Sequence, residues 1–482
     1  MREQLTRWQP PGGAFWGGAW RSGAELEVRD PETAGLVGRV ANCSPGDVDT
    51  AVRGVSEAIR QGPAWPAWQR REALHRAAAL LSERRQPFVD LLSSEGSKTL
   101  RHAGNEVQRA VETVRLSAEQ ASLLEGRTLP FGDTPRGENR VGWYTREPVG
   151  VVAAITPFND PLNLVAHKLA PALIGGNGVV LKPAEQTPLT ALAFVELLLD
   201  AGVPVDRVAV LPGKGIQVGA TLVGHPLVDM VSFTGGWTSG DAVARTAGAK
   251  KTLMELGGNG AVLVLSDADL DRAAAGIVDG AFGNAGQNCL SVQRVFVDAA
   301  RYPELVDLVV RGTRALVVGS RSEAGTDVGP LIDAVAAGRV EDWVAEAVEA
   351  GATVHTGAKR EGTFFWPTVL TDVPSSCRVL GEEVFGPVVS IQPFERVEAA
   401  VDEVNSCDYA LQAGVFSNGI DAALGVAERL RVGAVMINDT GDFRIDAMPF
   451  GGGKRSGVGR EGVPFAVEAM TEPKIIAVRH TA

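Results

Sequence analysis

VGVVAAITP, at residues 149–157, opens a series of four β-branched runs in the middle of the chain. GVVLKPA (178–184), VAVLPG (208–213) and VDMVSFTGG (228–236) follow it, and helical stretches such as TPLTALAFVELLLDAG (187–202) separate them. Strands that alternate with helices are joined by right-handed crossovers and form a parallel sheet that is buried on both faces. Such sheets bind ligands at the carboxyl ends of their strands. The runs therefore predict a Rossmann-like α/β domain.

A second alternation of strands and helices begins near residue 257. Helices are predicted at 267–286, 302–316 and 331–350. The predicted strands are AVLVLSDA, SVQRVFVD, TVLTDV, VVSIQPF and VGAVMIN. The chain shows no repeat of fixed period. We expect a second α/β domain of similar size to the first.

Other parts of the chain lie outside these two alternations. LPFGDTPRGENRVGWYTREP (129–148) has two extended pieces around a Gly/Asp/Pro turn, which predicts a projecting hairpin. AMTEPKIIAVRH (469–480) ends as a strand that could pair with this hairpin or with another chain. Residues 46–122 are predicted to be helical, with Asp47 or Asp49 as the first cap.

Length and composition are those of an ordinary globular protein. A chain of 482 residues is expected to form two or three domains. Its formal net charge of -12 argues against a nucleic-acid surface, which needs clustered Lys and Arg. Apolar runs are interrupted well before the roughly 18 residues of a membrane span, and the N-terminus lacks the apolar core of a signal peptide. We therefore expect a cytoplasmic protein without membrane or nucleic-acid partners.

The four cysteines, Cys43, Cys289, Cys377 and Cys407, form no C-x-x-C pair, and the six histidines are scattered. We therefore expect neither a metal site nor structural disulfides. Cys289 stands among small and amide residues in GNAGQNCLSVQR (283–294). It is either a buried small apolar residue or a nucleophile that a substrate can reach.

Polar residues stand at the ends of several predicted strands. Asn159, in TPFNDP, also follows a predicted strand, and a role in forming the turn is enough to explain it. Glu255, in KTLMELGGNG, is either a solvated carboxylate or a general base whose pKa is raised by burial. Lys182 and Glu185, in LKPAEQTP, either hydrogen-bond the hydroxyls of a ribose or belong to the start of a helix.

Two glycine turns each lie between a strand and a helix, in PGKGIQVG (212–219) and SFTGGWTSG (232–240). Backbone N–H groups in such turns can approach a phosphate. The first turn has the spacing GxGxxxG and not the dinucleotide fingerprint GxGxxG, so a tight structural turn also explains it. The presence of two such turns in one sheet favours nucleotide binding.

Taken together, these motifs are similar to those of the NAD(P)-dependent aldehyde dehydrogenase superfamily, over nearly the whole chain. The matching motifs, in the order and approximate spacing of that family, are TPFNDP, LKPAEQTP, PGKGIQVG, SFTGG, MELGGNG, GNAGQNC, GEEVFGPVVSI and MPFGGGKRSGVGREG. The resemblance implies an α/β fold of two Rossmann-like parallel-sheet domains with a protruding β-hairpin. The implied cofactor domain is 1–124 with 148–255, the catalytic domain is 256–467, and the oligomerisation element is 125–147 with 468–482.

The resemblance also implies a role for each matching residue. Cys289 would be the nucleophile, Glu255 the general base, and Asn159 would form the oxyanion hole with the backbone N–H of Cys289. The residues implied to bind the cofactor are Thr156, Phe158, Lys182, Glu185, Gly215, Gly219, Thr234, Gly235, Gly236, Leu256, Glu383 and Phe385. The implied reaction oxidises an aldehyde to the carboxylic acid with NAD or NADP, through a thiohemiacetal and a thioester that activated water hydrolyses.

Three positions depart from the family pattern or bear on the choice of cofactor. Gly236, followed by Trp237, replaces a serine of many members, which removes a hydroxyl expected at the pyrophosphate. Asn259 stands where many members have lysine. Glu185 favours NAD because its carboxylate should repel a 2′-phosphate, while NADP stays open.

The segment DFRIDAMPFGGGKRSG (442–457) resembles the branch that includes lactaldehyde and phosphonoacetaldehyde dehydrogenases. This resemblance implies a small hydroxylated or anionic aldehyde as substrate. Arg444 either faces the substrate or makes a structural salt bridge. Phe158 and Phe450 are expected to line the substrate tunnel, and a homodimer or homotetramer is expected.

Three other functions fit parts of the pattern: a coenzyme A-acylating aldehyde dehydrogenase, a catalytically silent binding protein on the same fold, and a thiol hydrolase without cofactor. Relatives of the first kind usually lack the general base, which this chain has in Glu255. Silent proteins usually lose the nucleophile, which this chain keeps in Cys289. A hydrolase would leave the nucleotide turns unexplained.

Overall fold

An eight-stranded sheet forms around the β-branched runs in the computed structural model, which describes residues 11–480. Its strands, in spatial order, are Ala19–Arg21, Ala14–Trp16, Val208–Val210, Gly178–Lys182, Val151–Ile155, Met230–Thr234, Lys251–Glu255 and Gly457–Val458. The five central strands run parallel, and the strands at both edges are antiparallel. The predicted parallel sheet is therefore confirmed.

A seven-stranded sheet forms from the second alternation. Its strands, in spatial order, are Thr353–Thr356, Thr368–Thr371, Val388–Phe394, Val292–Asp298, Gly260–Val264, Gln412–Phe416 and Ala434–Ile437. All pairs in this sheet are parallel except the one that the edge strand Thr353–Thr356 makes. The predicted α/β class, with two largely parallel sheets, is therefore confirmed.

Helices cover both faces of each sheet. In residues 11–480 they are Pro45–Gln61, Ala67–Glu83, Arg85–Glu95, Leu100–Glu119, Asn163–Ile174, Pro188–Asp200, Ala220–Gly224, Trp237–Ala247, Leu270–Phe282, Tyr302–Arg314, Ala334–Glu349, Arg378–Gly381, Val397–Ser406, Ile420–Ala427 and Val463–Ala469. None of these helices has both the length and the apolar character that crossing a membrane requires.

The central strands are buried because their side chains alternate between two apolar cores. Val152 and Ala154 pack into one core of the first sheet, whereas Val151, Ala153 and Ile155 pack into the core on its opposite face. The period of two along a strand produces this division, and apolar residues at every position satisfy it. The polar residues that follow each strand are therefore the first ones free to face a ligand.

A three-stranded sheet lies outside the two large ones. Arg140–Pro148 pairs along its whole length with Thr471–Arg479 and briefly with Arg127–Thr128. The predicted pairing of the C-terminal strand with the hairpin is therefore present within one chain. The hairpin differs from the prediction in its first half, which has a two-residue strand at 127–128 followed by two short helical turns.

Three two-stranded antiparallel ribbons complete the described chain. They are Glu25–Arg29 with Leu36–Ala41, Arg360–Glu361 with Phe364–Phe365, and Tyr409–Ala410 with Gly453–Lys454. The last ribbon pairs the residues just before the strand Gln412–Phe416 with the glycine-rich stretch near residue 453. That stretch continues into Gly457–Val458, which pairs with the first sheet.

The cap of the helix Pro45–Gln61 corrects one expectation. Its N-cap is Ser44, and neither Asp47 nor Asp49 takes that position. The Ser44 hydroxyl accepts from the N–H of Asp47, and the Asp47 carboxylate accepts from the N–H of Ser44, which is a capping box. Asp47 thus belongs to the cap as its third helical residue.

Candidate active site

A cavity of about 810 Å³ lies where the carboxyl ends of the parallel strands of the first sheet face the residues that precede the strands of the second sheet. It contains most of the residues singled out from the sequence. Those that line it are Phe158, Asn159, Thr234, Gly235, Gly236, Glu255, Leu256, Cys289, Glu383, Phe385, Arg444 and Phe450. The first sheet contributes residues at or after the carboxyl ends of its strands, such as Phe158 and Glu255, whereas Cys289 and Glu383 precede strands of the second sheet.

Cys289 reaches the cavity because the chain turns sharply after the helix Leu270–Phe282. Asn284, Ala285 and Gly286 have φ values of 51°, 54° and 69°, so three consecutive residues are in the left-handed region. Left-handed backbone is costly for residues other than glycine and is found where the surroundings enforce it, often at functional sites. The turn ends the helix and presents Cys289, which is partly exposed, to the cavity.

The Cys289 thiol is held in its protonated form. Burial raises its pKa, the carboxylate of Glu383 raises it further, and Arg444 opposes this shift. The only polar contact of its sulfur among the described residues is the side-chain oxygen of Asn288, at 3.8 Å. A base must therefore remove the proton before this sulfur can act as a strong nucleophile.

Glu255 is the last residue of the strand Lys251–Glu255 and is only 2% exposed. Within residues 11–480, neither carboxylate oxygen has a hydrogen-bond partner. Burial and then the charge of Glu461 raise the pKa of Glu255 well above its ordinary value, and Arg444 and Lys168 oppose the shift. A carboxyl group in this state holds a proton more tightly than a solvated one and can serve as a general base. The structure thus places Glu255 in the buried, titratable state and not in the solvated one.

Glu461 and Lys168 lie behind Glu255 and were missed by the sequence reasoning. Lys168 donates to Glu461 at 2.8 Å and to Ser232 at 3.2 Å, and all three side chains are buried. The available signal was Lys168 itself, a lone charge in the fully buried helix Asn163–Ile174. Such a charge requires a buried partner of opposite sign.

Asn159 follows the strand Val151–Ile155 and lines the same cavity as Cys289. It is buried, and its backbone carbonyl accepts from the side chain of Asn284 at 3.5 Å. This contact joins the turn after the first-sheet strand to the turn that presents the cysteine. The two predicted partners of the oxyanion hole are therefore on adjoining turns.

Glu383 and Phe385 reach the cavity from the loop before the strand Val388–Phe394. Glu383 accepts from the N–H of Gly258 at 2.9 Å, and burial raises its pKa to about 7. The rings of Phe158 and Phe385 meet edge to face with centroids 5.8 Å apart. The amide of Asn259 donates to the carbonyls of Leu380 and Glu382, so its observed role is to hold this loop.

Five predicted cofactor residues do not line this cavity: Thr156, Lys182, Glu185, Gly215 and Gly219. Four of them form a second group on the neighbouring strand ends. Lys182 lies 4.0 Å from Glu185, and Glu185 accepts from the N–H of Gly215 at 2.6 Å. The N–H of Thr156 donates to the carbonyl of Lys182, whereas Gly219 lies in the helical turn that follows.

Both interpretations of Arg444 have a counterpart in the structure. Its guanidinium lies 3.7 Å from the ring centre of Phe450 and lines the cavity. It also lies 3.7 Å from Glu461 and 4.0 Å from Asp446, with a side chain only 7% exposed. The arginine is therefore a cavity residue that two buried carboxylates hold in place.

One face of the helix Leu100–Glu119 supplies further lining residues that the sequence reasoning missed. They are Arg101, His102, Asn105 and Arg109. The spacing of 101, 105 and 109 by four residues was the available signal, because it places three long polar side chains on one helix face. Arg109 bridges Asp446 at 3.0 Å and Asp160 at 3.6 Å while its side chain stays 34% exposed.

Groups of acidic, histidine or cysteine side chains suitable for a metal ion are absent from residues 11–480. The glycine turn at 235–236 and the buried, unpaired hydroxyl of Thr234 instead fit a phosphate-bearing ligand. The cavity and the Lys182–Glu185 group lie along the same edge of the first sheet. These two polar groups are suited to hold the two ends of an extended dinucleotide.

The comparisons with known proteins agree with this geometry. A model described as "Aldehyde dehydrogenase family" matches residues 20–476. The chain is 45% identical to aspartate-semialdehyde dehydrogenase 1 of Pseudomonas canavaninivorans, covering 94% of this chain and 96% of that protein. It is 42% identical to 3-sulfolactaldehyde dehydrogenase of Priestia megaterium, covering 97% and 98%. The NADP complex of glyceraldehyde-3-phosphate dehydrogenase from Bacillus halodurans superposes with a TM-score of 0.95 at 36% identity, covering 98% and 100%. The chain therefore belongs to the aldehyde dehydrogenase family, whose enzymes oxidise aldehydes with NAD(P).

Proposed function

We propose that this NAD(P)-dependent aldehyde dehydrogenase oxidises a short aldehyde that bears an acidic group. We assign Cys289 as the nucleophile, Glu255 as the general base and Asn159 as the oxyanion donor. The observation that supports these roles is the meeting of all three residues in one cavity at the ends of strands from both sheets. The neutral thiol of Cys289 and the proton-accepting Glu255 are complementary in that cavity.

The first half of the reaction forms a thioester on Cys289. Glu255 takes the thiol proton, and the sulfur attacks the carbonyl carbon of the aldehyde. The side-chain amide of Asn159 and the backbone N–H of Cys289 stabilise the resulting alkoxide. Bound NAD(P) supplies the acceptor for the hydride. When the carbon–hydrogen bond breaks, the carbon stays attached to sulfur as a thioester.

The second half of the reaction hydrolyses the thioester. Glu255, after passing its first proton to solvent, takes a proton from water while the water oxygen attacks the thioester carbon. The carbon–sulfur bond then breaks, which releases the carboxylic acid and leaves the sulfur to regain a proton. Glu255 in this position favours hydrolysis over acyl transfer to coenzyme A.

We assign the cofactor to both polar groups of the first sheet edge. Thr234, Gly235, Gly236 and Leu256 would line its phosphate and nicotinamide portion, with Phe158, Glu383 and Phe385 on the opposite wall. Thr156, Lys182, Glu185, Gly215 and Gly219 would surround the adenosine ribose. The exposed carboxylate of Glu185 next to Gly215 favours NAD over NADP because it repels a 2′-phosphate.

The proposed acidic group of the substrate rests on Arg109 and Arg444. Both guanidinium groups line the cavity, and Arg444 lies over the ring of Phe450. Guanidinium is well suited to carboxylate, sulfonate and phosphate groups. The two relatives named above are, by name, dehydrogenases of aldehydes that carry a carboxylate or a sulfonate.

We keep three further expectations as proposals. The cofactor domain is 1–124 with 148–255, and the catalytic domain is 256–467. The hairpin and C-terminal strand, 125–147 with 468–482, associate two or four copies of the chain. The compartment is the cytoplasm.

Absorbance of the reduced nicotinamide tests the proposed function directly. The purified protein is mixed with NAD or NADP and a panel of short neutral, hydroxylated and acidic aldehydes, with and without coenzyme A. We expect reduction with an acidic aldehyde that does not require coenzyme A. Silence with every aldehyde overturns the assignment, and dependence on coenzyme A replaces hydrolysis by acyl transfer.

A further inference from the structure

The cationic side chains at the substrate end of the cavity already have acidic partners. Lys98 contacts Glu106 at 3.1 Å and also pairs with Asp160. Arg109 pairs with Asp446, and Arg101 donates to Asp327 at 3.0 Å. These cations are thus already paired before any substrate enters, and the exposed parts of Arg101 and Arg109 are still accessible to an anionic group.

Two carboxylates that line the same end have no such partner. In the part of the chain that the structure describes, neither Asp442 nor Asp279 lies within ion-pair distance of a cation. Asp442 accepts one hydrogen bond, from the side-chain amide of Asn288. Burial and then the charge of Asp279 raise its pKa to about 7, and Asp160 adds to this shift, whereas the charge of Arg109 and the hydrogen bond from Asn288 oppose it.

Asn288 fixes the distance between Asp442 and the reacting sulfur. Its side-chain oxygen lies 3.8 Å from the sulfur of Cys289, and the nitrogen of the same amide donates to Asp442. One amide group therefore spans the gap from nucleophile to carboxylate. A cation held by Asp442 would therefore belong to a substrate group close to the aldehyde carbon along a short chain.

A third acceptor lines this end of the cavity. The side-chain oxygen of Asn284 is buried and has no donor among residues 11–480. The second carboxylate oxygen of Asp442, the exposed Asp279 and the side-chain oxygen of Asn284 together offer acceptors without a donor from the described residues. An ammonium group has three N–H donors and one positive charge, so it matches this set. A hydroxyl group supplies one donor and no charge.

Building on the proposed function, we propose that the substrate is an amino-acid semialdehyde whose ammonium group pairs with Asp442 and whose acidic group pairs with Arg109. Its ammonium stands on a carbon two bonds from the aldehyde carbon. An aldehyde with only an acidic group would leave Asp442 without a partner inside the cavity. Asp442 is thus a specificity-determining residue of this site.

A pair of substrates that differ only in the amino group tests this inference. Aspartate 4-semialdehyde and succinate semialdehyde share the four-carbon chain, the aldehyde and the terminal carboxylate. We expect kcat/KM to be roughly 10- to 100-fold higher for the amino compound, which is the usual range for one charged hydrogen bond. Equal or better use of succinate semialdehyde overturns the inference.

Single substitutions test whether Asp442 causes the preference for the amino compound. Asp442→Asn is expected to lower the ratio of the two kcat/KM values by at least about tenfold, and Asp279→Asn by less. Asp271→Asn is the matched control, because Asp271 is exposed on the same helix as Asp279 and does not line the cavity. It should leave the ratio unchanged. An equal loss with both substrates in Asp442→Asn shows a role only through Asn288 and overturns the inference.

The pH dependence of the ratio provides a readout that a structural role would not change. The ratio should rise between pH 6 and pH 8 in the unmodified enzyme, because Asp442 must lose its proton to bind an ammonium group. In Asp442→Asn the rise should disappear. If the enzyme oxidises succinate semialdehyde but not aspartate 4-semialdehyde, this inference is rejected and the proposed function stands. If no aldehyde of the panel is oxidised, both are rejected.

Discussion

Cys289 lies in a site that suppresses the thiolate until a base acts. Burial and two neighbouring carboxylates, Glu383 and Glu255, favour the neutral thiol, and Arg444 is the opposing charge. A neutral thiol is a weaker nucleophile than the thiolate. Its reactivity then depends on proton transfer to Glu255, so nucleophile and base act as one unit.

Replacement of Cys289 by alanine tests the nucleophile. We expect kcat to fall by at least about 10³-fold, because no other group in the cavity can form the thioester. Absorbance of the reduced nicotinamide measures the loss. Cys43→Ala is the control, since Cys43 is buried outside the cavity, and it should keep turnover within about threefold. Unchanged turnover in Cys289→Ala would contradict the mechanism.

The Glu255–Glu461 pair sets the pH dependence of hydrolysis. Glu255 must lose its proton to activate water, and its pKa is raised, so kcat should increase with pH through that pKa. Glu461→Gln removes a neighbouring negative charge, and Lys168 then has no carboxylate partner in Glu461. The loss of that negative charge lowers the pKa of Glu255. We therefore expect the midpoint of the profile of kcat against pH to move to lower pH.

Glu468→Gln is the matched control for this shift. Glu468 is exposed and does not line the cavity, so its removal should leave the midpoint in place. The thermal midpoint of both variants distinguishes a folding defect from a change in proton affinity. A midpoint that stays fixed, or moves to higher pH, in Glu461→Gln would show that Glu461 does not control the base.

At the scale of elements, the left-handed turn between the helix Leu270–Phe282 and Cys289 determines where the sulfur stands. A side chain at Gly286 would collide with the backbone of Gly386 and Pro387, in the loop that follows Glu383. The turn with Cys289 and the loop with Glu383 therefore approach each other through a glycine. Their contact fixes the nucleophile relative to the wall of the cofactor cleft.

Two neighbouring substitutions in this turn should have different effects. Gly286→Ala meets both the collision and the positive φ, and we expect a loss of about 1–3 kcal/mol with reduced kcat. Ala285→Gly relieves roughly 1–2 kcal/mol of left-handed strain, which offsets roughly 0.4–1 kcal/mol of added chain entropy. Thermal unfolding compares the two. Equal stability of both variants would argue against a turn fixed by close packing.

The strand ends could be predicted from the sequence because their signals are local. Runs such as Val151–Ile155 are apolar at every position, so the polar residues at or just after the strand ends, such as Thr156 and Glu255, must lie near the sheet edge. Asp47 or Asp49 is predicted from the sequence as the cap of the first helix, whereas the cap is the nearby Ser44. Element types were therefore accessible, and exact ends were less so.

Pairs of buried charges could not be predicted in the same way. Lys168 and Glu461 are 293 positions apart, and Arg109 and Asp446 are 337 positions apart. Neither partner has a local pattern that identifies the other, because the packing of separate elements brings them together. The polar lining of the substrate end consists largely of such pairs, which explains why the substrate class was the least accessible inference.

At the scale of the whole molecule, segments that are distant in sequence pack together near the site. Gly457–Val458 pairs with Met254 and Glu255 at the edge of that sheet, although it follows the second sheet in sequence. The buried Arg321 pairs with Asp30 and Glu32 near the other end of the chain. Both contacts join segments that lie far apart in the sequence.

The third sheet has an exposed apolar face suited to association between copies of the chain. Ile476 lies opposite Trp143, and Val478 lies opposite Val141, so all four side chains are on one face. They are between 39% and 47% exposed. The outer edge of Thr471–Arg479 also has no strand beside it within residues 11–480. An exposed edge next to an apolar face is a common basis for oligomers.

Ile476→Glu tests this interface because it places a charge in the middle of the apolar face. Burying that charge against a second copy is unfavourable, so we expect association to weaken by at least about tenfold. Light scattering after size-exclusion chromatography, over a series of concentrations, measures the mass. Val335→Glu is the control, since Val335 is 81% exposed on a helix far from this face in the fold. An assembly of unchanged mass in Ile476→Glu, or a monomeric unmodified protein, would place the interface elsewhere or remove it.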